Sequence, residues 1–202
     1  GASHELKTPL ASLKIILENM KYNIGKYKNR DAYIGDCIDI VDGLTKNISQ
    51  ILSVSSLEHL KNDEEFLDIN DILEGVLRKY EVLANQKNIK INNCLSNEKI
   101  YIGKTALKII LSNLISNAVK YADESGTINI GVDEEWLYIE NSYGNKKSID
   151  MEKLFEVKFD LNKETSNGLG LYIVSNLLNN YNIKYKALQN ESCFVFKIEL
   201  SI

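Results

Sequence analysis

The sequence predicts two architectures in series. The first is an all-α helical hairpin, which closes into a four-helix bundle as a dimer; the second is an α+β two-layer sandwich. Three observations predict this order. Two long segments ahead of Lys61 carry apolar side chains at alternating steps of three and four, the seam of helices that pack on helices. A polar run, Lys61-Asn62-Asp63-Glu64-Glu65, then breaks the pattern. Beyond it, strand-like and helix-like runs mix, which suits one mixed sheet with helices on one face. The expected domains are residues 1–61 for the hairpin, 62–66 for a linker and 67–202 for the sandwich.

The first helix is expected over residues 3–24, where Leu6, Leu10, Leu13, Leu17, Met20 and Ile24 form the apolar stripe. Pro9 lies inside it, removes the backbone hydrogen bond to Glu5 and is expected to kink the helix there. The polar turn Gly25-Lys26-Tyr27-Lys28-Asn29-Arg30-Asp31 leads to a second helix carrying Ile34, Ile38, Val41, Leu44, Ile48, Ile51, Leu52 and Leu57. Two such helices leave an apolar face uncovered, and pairing with a second hairpin buries it. Packing of the hairpin on the C-terminal domain is the alternative. In the sandwich, residues 65–69 read as a strand, and Asn70 as the N-cap of a helix that runs to residue 85. Residues 89–95 and 99–102 read as strands, and 104–121 as a long apolar helix. Residues 127–132 and 136–140 form an expected hairpin across Asp133-Glu134. A helix over 169–180 and strands over 185–188 and 194–200 close the chain.

Composition narrows the function classes. The chain has 202 residues and a formal net charge of −4, with acids and bases interspersed. No basic stripe suggests nucleic acid and no polybasic patch suggests membrane contact. Cys37, Cys94 and Cys193 lack metal-ligand spacing and read as reduced, mostly buried thiols of a cytosolic protein. No apolar run approaches the ~20 residues that span a bilayer. The chain lacks an initiator Met, so it is expected to be a fragment, with Gly1 a cloning remnant. His59 has no partner motif and reads as a surface residue.

Chemistry enters at the start of the first helix. His4 lies off the apolar stripe, so its ring is expected to face solvent or a visiting partner. A neutral imidazole is a nucleophile near neutral pH, and the adjacent carboxylate of Glu5 can orient it or take its proton. Thr8, four residues on, shares the helix face of His4. Read alone, a histidine at a helix start is more often a solvated or capping residue. The whole run Ser3-His4-Glu5-Leu6-Lys7-Thr8-Pro9-Leu10 resembles the H-box of sensor histidine kinases, the protein half of a two-component signalling pair.

Later segments add a nucleotide site. Asn113, Asn117 and Lys120 stand at i, i+4 and i+7, one polar ridge on an otherwise apolar helix. Such a ridge is solvated or meets a polar partner, and amide oxygens with an ammonium suit hydrated Mg²⁺ and phosphate. The stretch resembles the N-box of the ATPase family that holds histidine kinases, Hsp90 chaperones, type II topoisomerases and mismatch-repair ATPases. The resemblance implies that Asn117 is the Mg²⁺ ligand, that Asn113 and Lys120 serve the phosphates and that Tyr121 lines the pocket. Asn167-Gly168-Leu169-Gly170-Leu171 precedes the last helix, where glycines let backbone N–H groups approach an anion. Alone it could be a turn; it resembles the family's G2 box. Leu154-Phe155-Glu156-Val157-Lys158-Phe159 looks like the F-box, whose aromatics anchor a lid over ATP, with residues 160–166 the lid candidate.

One box departs from the family pattern. The G1 box reads Asp-x-Gly-x-Gly, its Asp accepting from the adenine amino group. Here Asn141 replaces that Asp, and only Gly144 clearly survives. A neutral amide can accept the same hydrogen, but losing the charge costs about 1 kcal/mol. The resemblance covers nearly the whole chain. It implies a bound Mg·ATP, phosphoryl transfer to His4 with Glu5 as general base, and onward transfer to an aspartate of a response regulator. It also implies that Thr8 can orient water against the regulator's phospho-aspartate, making the enzyme bifunctional. A membrane-anchored parent with a sensor upstream is expected. The rival readings are a degenerate, phosphatase-biased nucleotide-binding scaffold, and another ATPase of the same superfamily, which would lack the His4 motif.

Overall fold

The computed structural model describes residues 2–57, 63–144, 149, 151, 154–155 and 170–200. His59 and residues 58–62 of the expected hairpin end and linker lie outside them. Two compact units are present, one helical and ending at Ser55, the other mixed and running from Ser56 to Phe155 and again from Gly170.

In the helical unit, α1 (Ala2–Lys21) and α2 (Arg30–Leu57) flank a short 3-10 turn, Gly25–Lys28. α1 is helical on both sides of Pro9. It stops three residues short of the expected Ile24, because Asn23 takes a left-handed φ of 54°. The N–H of Ile24 then returns to the carbonyl of Asn19 (2.9 Å) and that of Asn23 to Met20 (3.3 Å), a Schellman closure. Arg30 locks the turn from the far side, donating through Nε to the Met20 carbonyl (3.2 Å) and through Nη2 to Asn23 Oδ1 (3.1 Å). Met20, Cys37 and Leu44 are buried, whereas Leu10, Leu17, Ile24, Ile34, Ile38, Val41 and Ile48 of the two stripes stay exposed.

The second unit begins with β1 (Glu64–Asp68), which starts inside the expected linker. It continues with α3 (Ile69–Gln86), β2 (Lys90–Asn93), β3 (Lys99–Gly103) and α4 (Lys104–Tyr121). Next come β4 (Thr127–Asp133), β5 (Trp136–Ser142), α5 (Gly170–Asn180), β6 (Tyr185–Gln189) and β7 (Cys193–Glu199). The five-stranded sheet has the order β2-β4-β5-β7-β6, with β2 and β4 parallel and the other pairs antiparallel. In place of one continuous sheet, β1 and β3 pair off as a separate antiparallel ribbon. The hairpin turn is where expected, with Glu134 at a left-handed φ of 54°. The N-cap of α3 is Asp68 instead of the expected Asn70: its carboxylate accepts from the backbone N–H groups of Asn70 (2.9 Å) and Asp71 (3.3 Å). Asn70 instead accepts from Asn93 through its side chain (2.8 Å).

One face of the sheet is core. Ile128, Ile130, Leu137, Ile139, Phe196 and Ile198 alternate inward and are buried together with Leu73, Leu107, Ile110, Ile115, Val174 and Leu177 of the three helices. The other face is polar and carries a ladder in which Asn92 donates to Asn129 (2.8 Å) and Asn129 to Glu140 (2.9 Å). The cysteines differ from expectation, since only Cys37 is buried; Cys94 is exposed and Cys193 is half-buried. Among the described residues, no helix is long and apolar enough to cross a membrane.

Candidate active site

α4 forms where the sequence predicts it because Ala106, Leu107, Ile110, Leu111, Leu114, Ile115, Ala118 and Val119 are all buried against the sheet and its neighbouring helices. Asn113, Asn117 and Lys120 run along its half-buried edge. Asn113 donates through Nδ2 to the Ile109 carbonyl one turn back (2.9 Å), which fixes its amide with Oδ1 turned outward. That oxygen faces the start of α5. A Cβ built at Gly170 would lie 3.1 Å from Asn113 Oδ1, and 3.5 and 3.7 Å from the amide nitrogen and oxygen of Asn117. A side chain at this position would have to push the Asn113 amide aside by a few tenths of an ångström, so glycine lets α5 approach the two amides closely. The two separate motifs therefore converge on one spot. It is lined by the side-chain amides of α4 on one side and, on the other, by Gly170 at the first described turn of α5.

The far end of α4 builds the other half. Tyr121 is 41% exposed, with the Lys120 ammonium 5.2 Å from its ring centroid. Asn141, at the end of β5, is 4% exposed and donates through Nδ2 to the Ser142 carbonyl (3.0 Å). That bond uses one of the two amide hydrogens, and Oδ1 is an acceptor of the kind that a carboxylate at this position would also supply. Gly144 does not offer its N–H outward; it donates to Asp123 Oδ2 (2.7 Å). Counted from Asn141, the two glycines of Asp-x-Gly-x-Gly fall on Tyr143, a half-buried residue, and on Asn145. Gly144 stands at the position between them and, contrary to expectation, is not one of the pattern's glycines. Burial pushes the Tyr143 phenol above its ordinary pKa, and nearby Tyr121 and Asp123 push it further. Asp123 and Tyr143 thus belong to the site although sequence reasoning did not select them. The available signal was position, since Asp123 stands two residues after the Asn113–Tyr121 stretch and Tyr143 inside the Asp-x-Gly-x-Gly box.

Phe155 packs edge-on against Tyr185 (5.3 Å between centroids) and Phe196 (6.2 Å), rings that are themselves stacked at 5.9 Å. The F-box aromatic is thereby anchored to β6 and β7. Gly170 and Leu171 open α5 and are half-buried, while Gly168, Leu169 and the lid candidate lie outside the described residues. His4 and Glu5 are in the first turns of α1, their side chains outside the described set; Thr8, one turn on, is exposed.

Residues 103–202 match the family model described as the histidine kinase-, DNA gyrase B-, and HSP90-like ATPase. The chain is 38% identical, over 205 residues, to the sensor histidine protein kinase HK06 of Streptococcus pneumoniae, covering 99% of this chain and 46% of that protein. The chain thus spans less than half the length of the curated relatives it matches. Its fold is similar to the histidine kinase AdeS of Acinetobacter baumannii, with a TM-score of 0.68 at 21% identity, covering 98% of this chain and 97% of that one. It is also similar to the histidine kinase ThkA, solved in complex with the response regulator TrrA, with a TM-score of 0.63 at 19% identity. That match covers 99% of this chain and 60% of that one.

Proposed function

We propose that this chain, similar along its length to a sensor histidine protein kinase and matching the histidine kinase-, DNA gyrase B-, and HSP90-like ATPase family over residues 103–202, is the phosphotransfer core of a sensor histidine kinase. Residues 67–202 bind Mg·ATP, and residues 1–61 present His4 as the phosphoryl acceptor, with 62–66 the linker. The observation that carries this reading is the meeting of Gly170 with the amides of Asn113 and Asn117. Amide oxygens beside a helix N-terminus fit a hydrated cation and the phosphates it accompanies.

In this reading Asn141 accepts from the adenine amino group, and Tyr121 and Gly144 line the base end. Asn113, Lys120 and the backbone of Gly168, Leu169, Gly170 and Leu171 hold the phosphates, with Phe155 anchoring the segment that follows. Asn117 would hold a Mg²⁺ ion, which would supply charge neutralisation at the phosphates. At His4 one ring nitrogen forms a bond to the γ-phosphorus as the bond to the bridging oxygen breaks and ADP leaves. Glu5 takes the proton from the other ring nitrogen, which keeps the imidazole a competent nucleophile. The phosphoryl group then passes to an aspartate of a response regulator, a partner supported by the ThkA–TrrA complex of a structural neighbour. Thr8, exposed one turn past His4, is suited to orient water for hydrolysis of the regulator's phospho-aspartate, which releases inorganic phosphate.

Exposed Leu10, Leu17, Ile38 and Ile48 support a homodimer through the hairpin. The likeness to proteins named as sensors supports a cytoplasmic setting for this chain within a membrane-anchored parent. A second reading, a nucleotide-binding scaffold that leans toward phosphatase action, is favoured by one observation: the neutral Asn141 in place of the family's carboxylate.

Incubation with γ-labelled ATP and Mg²⁺, beside a His4→Gln control, separates the two. The kinase predicts label that is lost in acid, kept in alkali and missing from the control, as a phosphoramidate requires. Label that survives His4→Gln sinks the histidine kinase reading, and nucleotide binding without label supports the scaffold.

A further inference from the structure

We propose that Lys87, a residue of no nucleotide motif, is a positioning residue for this site. Its ammonium is the C-terminal stop of the helix that carries Asn113, Asn117, Lys120 and Tyr121. The inference rests on the reading of that site as a nucleotide pocket.

Three of the described helices end in one way and α4 in another. α1, α3 and α5 are closed by Asn23, Asn88 and Asn182, each at a left-handed φ between 52° and 54°. After each, the N–H of the following residue returns five residues, Ile24 to Asn19, Ile89 to Ala84 and Ile183 to Leu178, all at 2.9 Å. α4 has no such closure. Its last helical hydrogen bond runs from Ala122 N–H to Ala118 (2.9 Å), and Ala122 then leaves in an extended conformation, φ −56° and ψ 147°. The chain therefore turns away with the last carbonyls of the helix still to be satisfied.

Lys87 satisfies them. Its Nζ donates to the carbonyls of Val119 (2.9 Å), Lys120 (2.9 Å) and Ala122 (2.8 Å). An ammonium carries three protons, and three carbonyls accept them. The charge also sits at the negative end of the helix dipole, where a cation is favoured. The backbone of Lys87 is fixed in turn: its N–H donates to the Ala84 carbonyl (3.2 Å), and its own carbonyl accepts from Ser125 (2.8 Å). The loop after α4 is thereby held at Val119–Ala122 by the side chain and at Ser125 by the main chain. From that loop Asp123 reaches across to β5, through its N–H to the Ser142 carbonyl (3.3 Å) and through its carboxylate to Gly144 N–H (2.7 Å). Lys87 thus holds the end of α4 and the loop after it, and Asp123 of that loop makes the link to the strand end that bears Asn141.

Without the ammonium, the last turn of α4 is the part that loosens. It carries Lys120 and Tyr121, whereas Asn113, two turns back, keeps its own bond to Ile109. The effect falls on holding the nucleotide more than on the transfer step.

The test is a calorimetric titration of Mg²⁺ with a non-hydrolysable ATP analogue into the whole chain. Wild type, Lys87→Met and Lys87→Arg are compared, with thermal melting to verify folding and labelling rates read at saturating ATP. The expected result is a Kd raised about tenfold in Lys87→Met, restored to within about threefold by Arg, with the saturating rate little changed. If Lys87→Met does not melt cooperatively, Lys87→Gln, which removes the charge but keeps an amide donor, is read by the same criteria. An unchanged Kd, or a loss confined to the saturating rate, overturns the proposal while leaving the nucleotide site intact. A wild-type chain that binds no analogue overturns the nucleotide reading itself, and the proposal with it.

Discussion

The two units solve the burial problem differently. In the mixed unit, Ile110 is fully buried, as are Leu73, Leu107, Ile128 and Val174, and the sheet closes over its helices with no second copy. In the helical unit, Leu10 is 53% exposed and Ile38 54%, although their spacing is that of core residues. The helical unit also holds Asn47, 1% exposed, with neither amide atom hydrogen-bonded among the described residues. A fully buried sheet-and-helix core stabilises a rigid site, whereas an unfinished hairpin keeps surface for partners. In the proposed function, the nucleotide half belongs to the first kind and the acceptor half to the second.

The largest expected effect breaks the self-sufficient side. Ile110→Ala leaves a cavity under α4 and costs about 2–5 kcal/mol, read as a lowered urea midpoint, with nucleotide binding lost along with it. Next comes the unfinished side. Leu17→Glu removes an apolar contact worth about 1.5–3 kcal/mol per chain and adds a charge, so light scattering should show a monomer in place of a dimer. Nucleotide affinity, a property of the other unit, should not change. If Leu17→Glu leaves the mass unchanged, the hairpin does not dimerise through this stripe. The smallest effect has the opposite sign. Asn47→Leu removes a buried amide without partners and should stabilise by about 1–3 kcal/mol, seen as a raised melting temperature. A lowered one means that Asn47 finds its partner only in the assembled dimer.

The same contrast explains what could be read from the sequence. The bounds of α4 and the β4–β5 hairpin were legible because both signals are local: an apolar period of one element and a two-residue turn. The polar ridge of Asn113, Asn117 and Lys120 was legible for the same reason. The cap of α3 was misplaced because Asp68 and Asn70 are both good capping types, and which one reaches the free N–H groups depends on how β1 enters the helix. The separation of β1 and β3 from the main sheet was not legible, since strand pairing is a long-range choice. Lys87 was invisible to motif reading: its three acceptors lie 32, 33 and 35 residues away. Its sequence neighbourhood is an ordinary polar helix end. Asp123 and Tyr143 were missed because their roles come from facing each other across two elements.

The claim that most needs testing is that the α4 amides and the α5 glycine form one nucleotide site. The direct measurement is calorimetry of Mg·ATP binding to wild type and Gly170→Ala. The added methyl would stand 3.1 Å from Asn113 Oδ1, tighter than ordinary contact, so α5 or the amide must give way. A Kd raised at least about tenfold, with the melting temperature close to wild type, is the predicted result. Unchanged affinity in a folded Gly170→Ala chain would contradict the account.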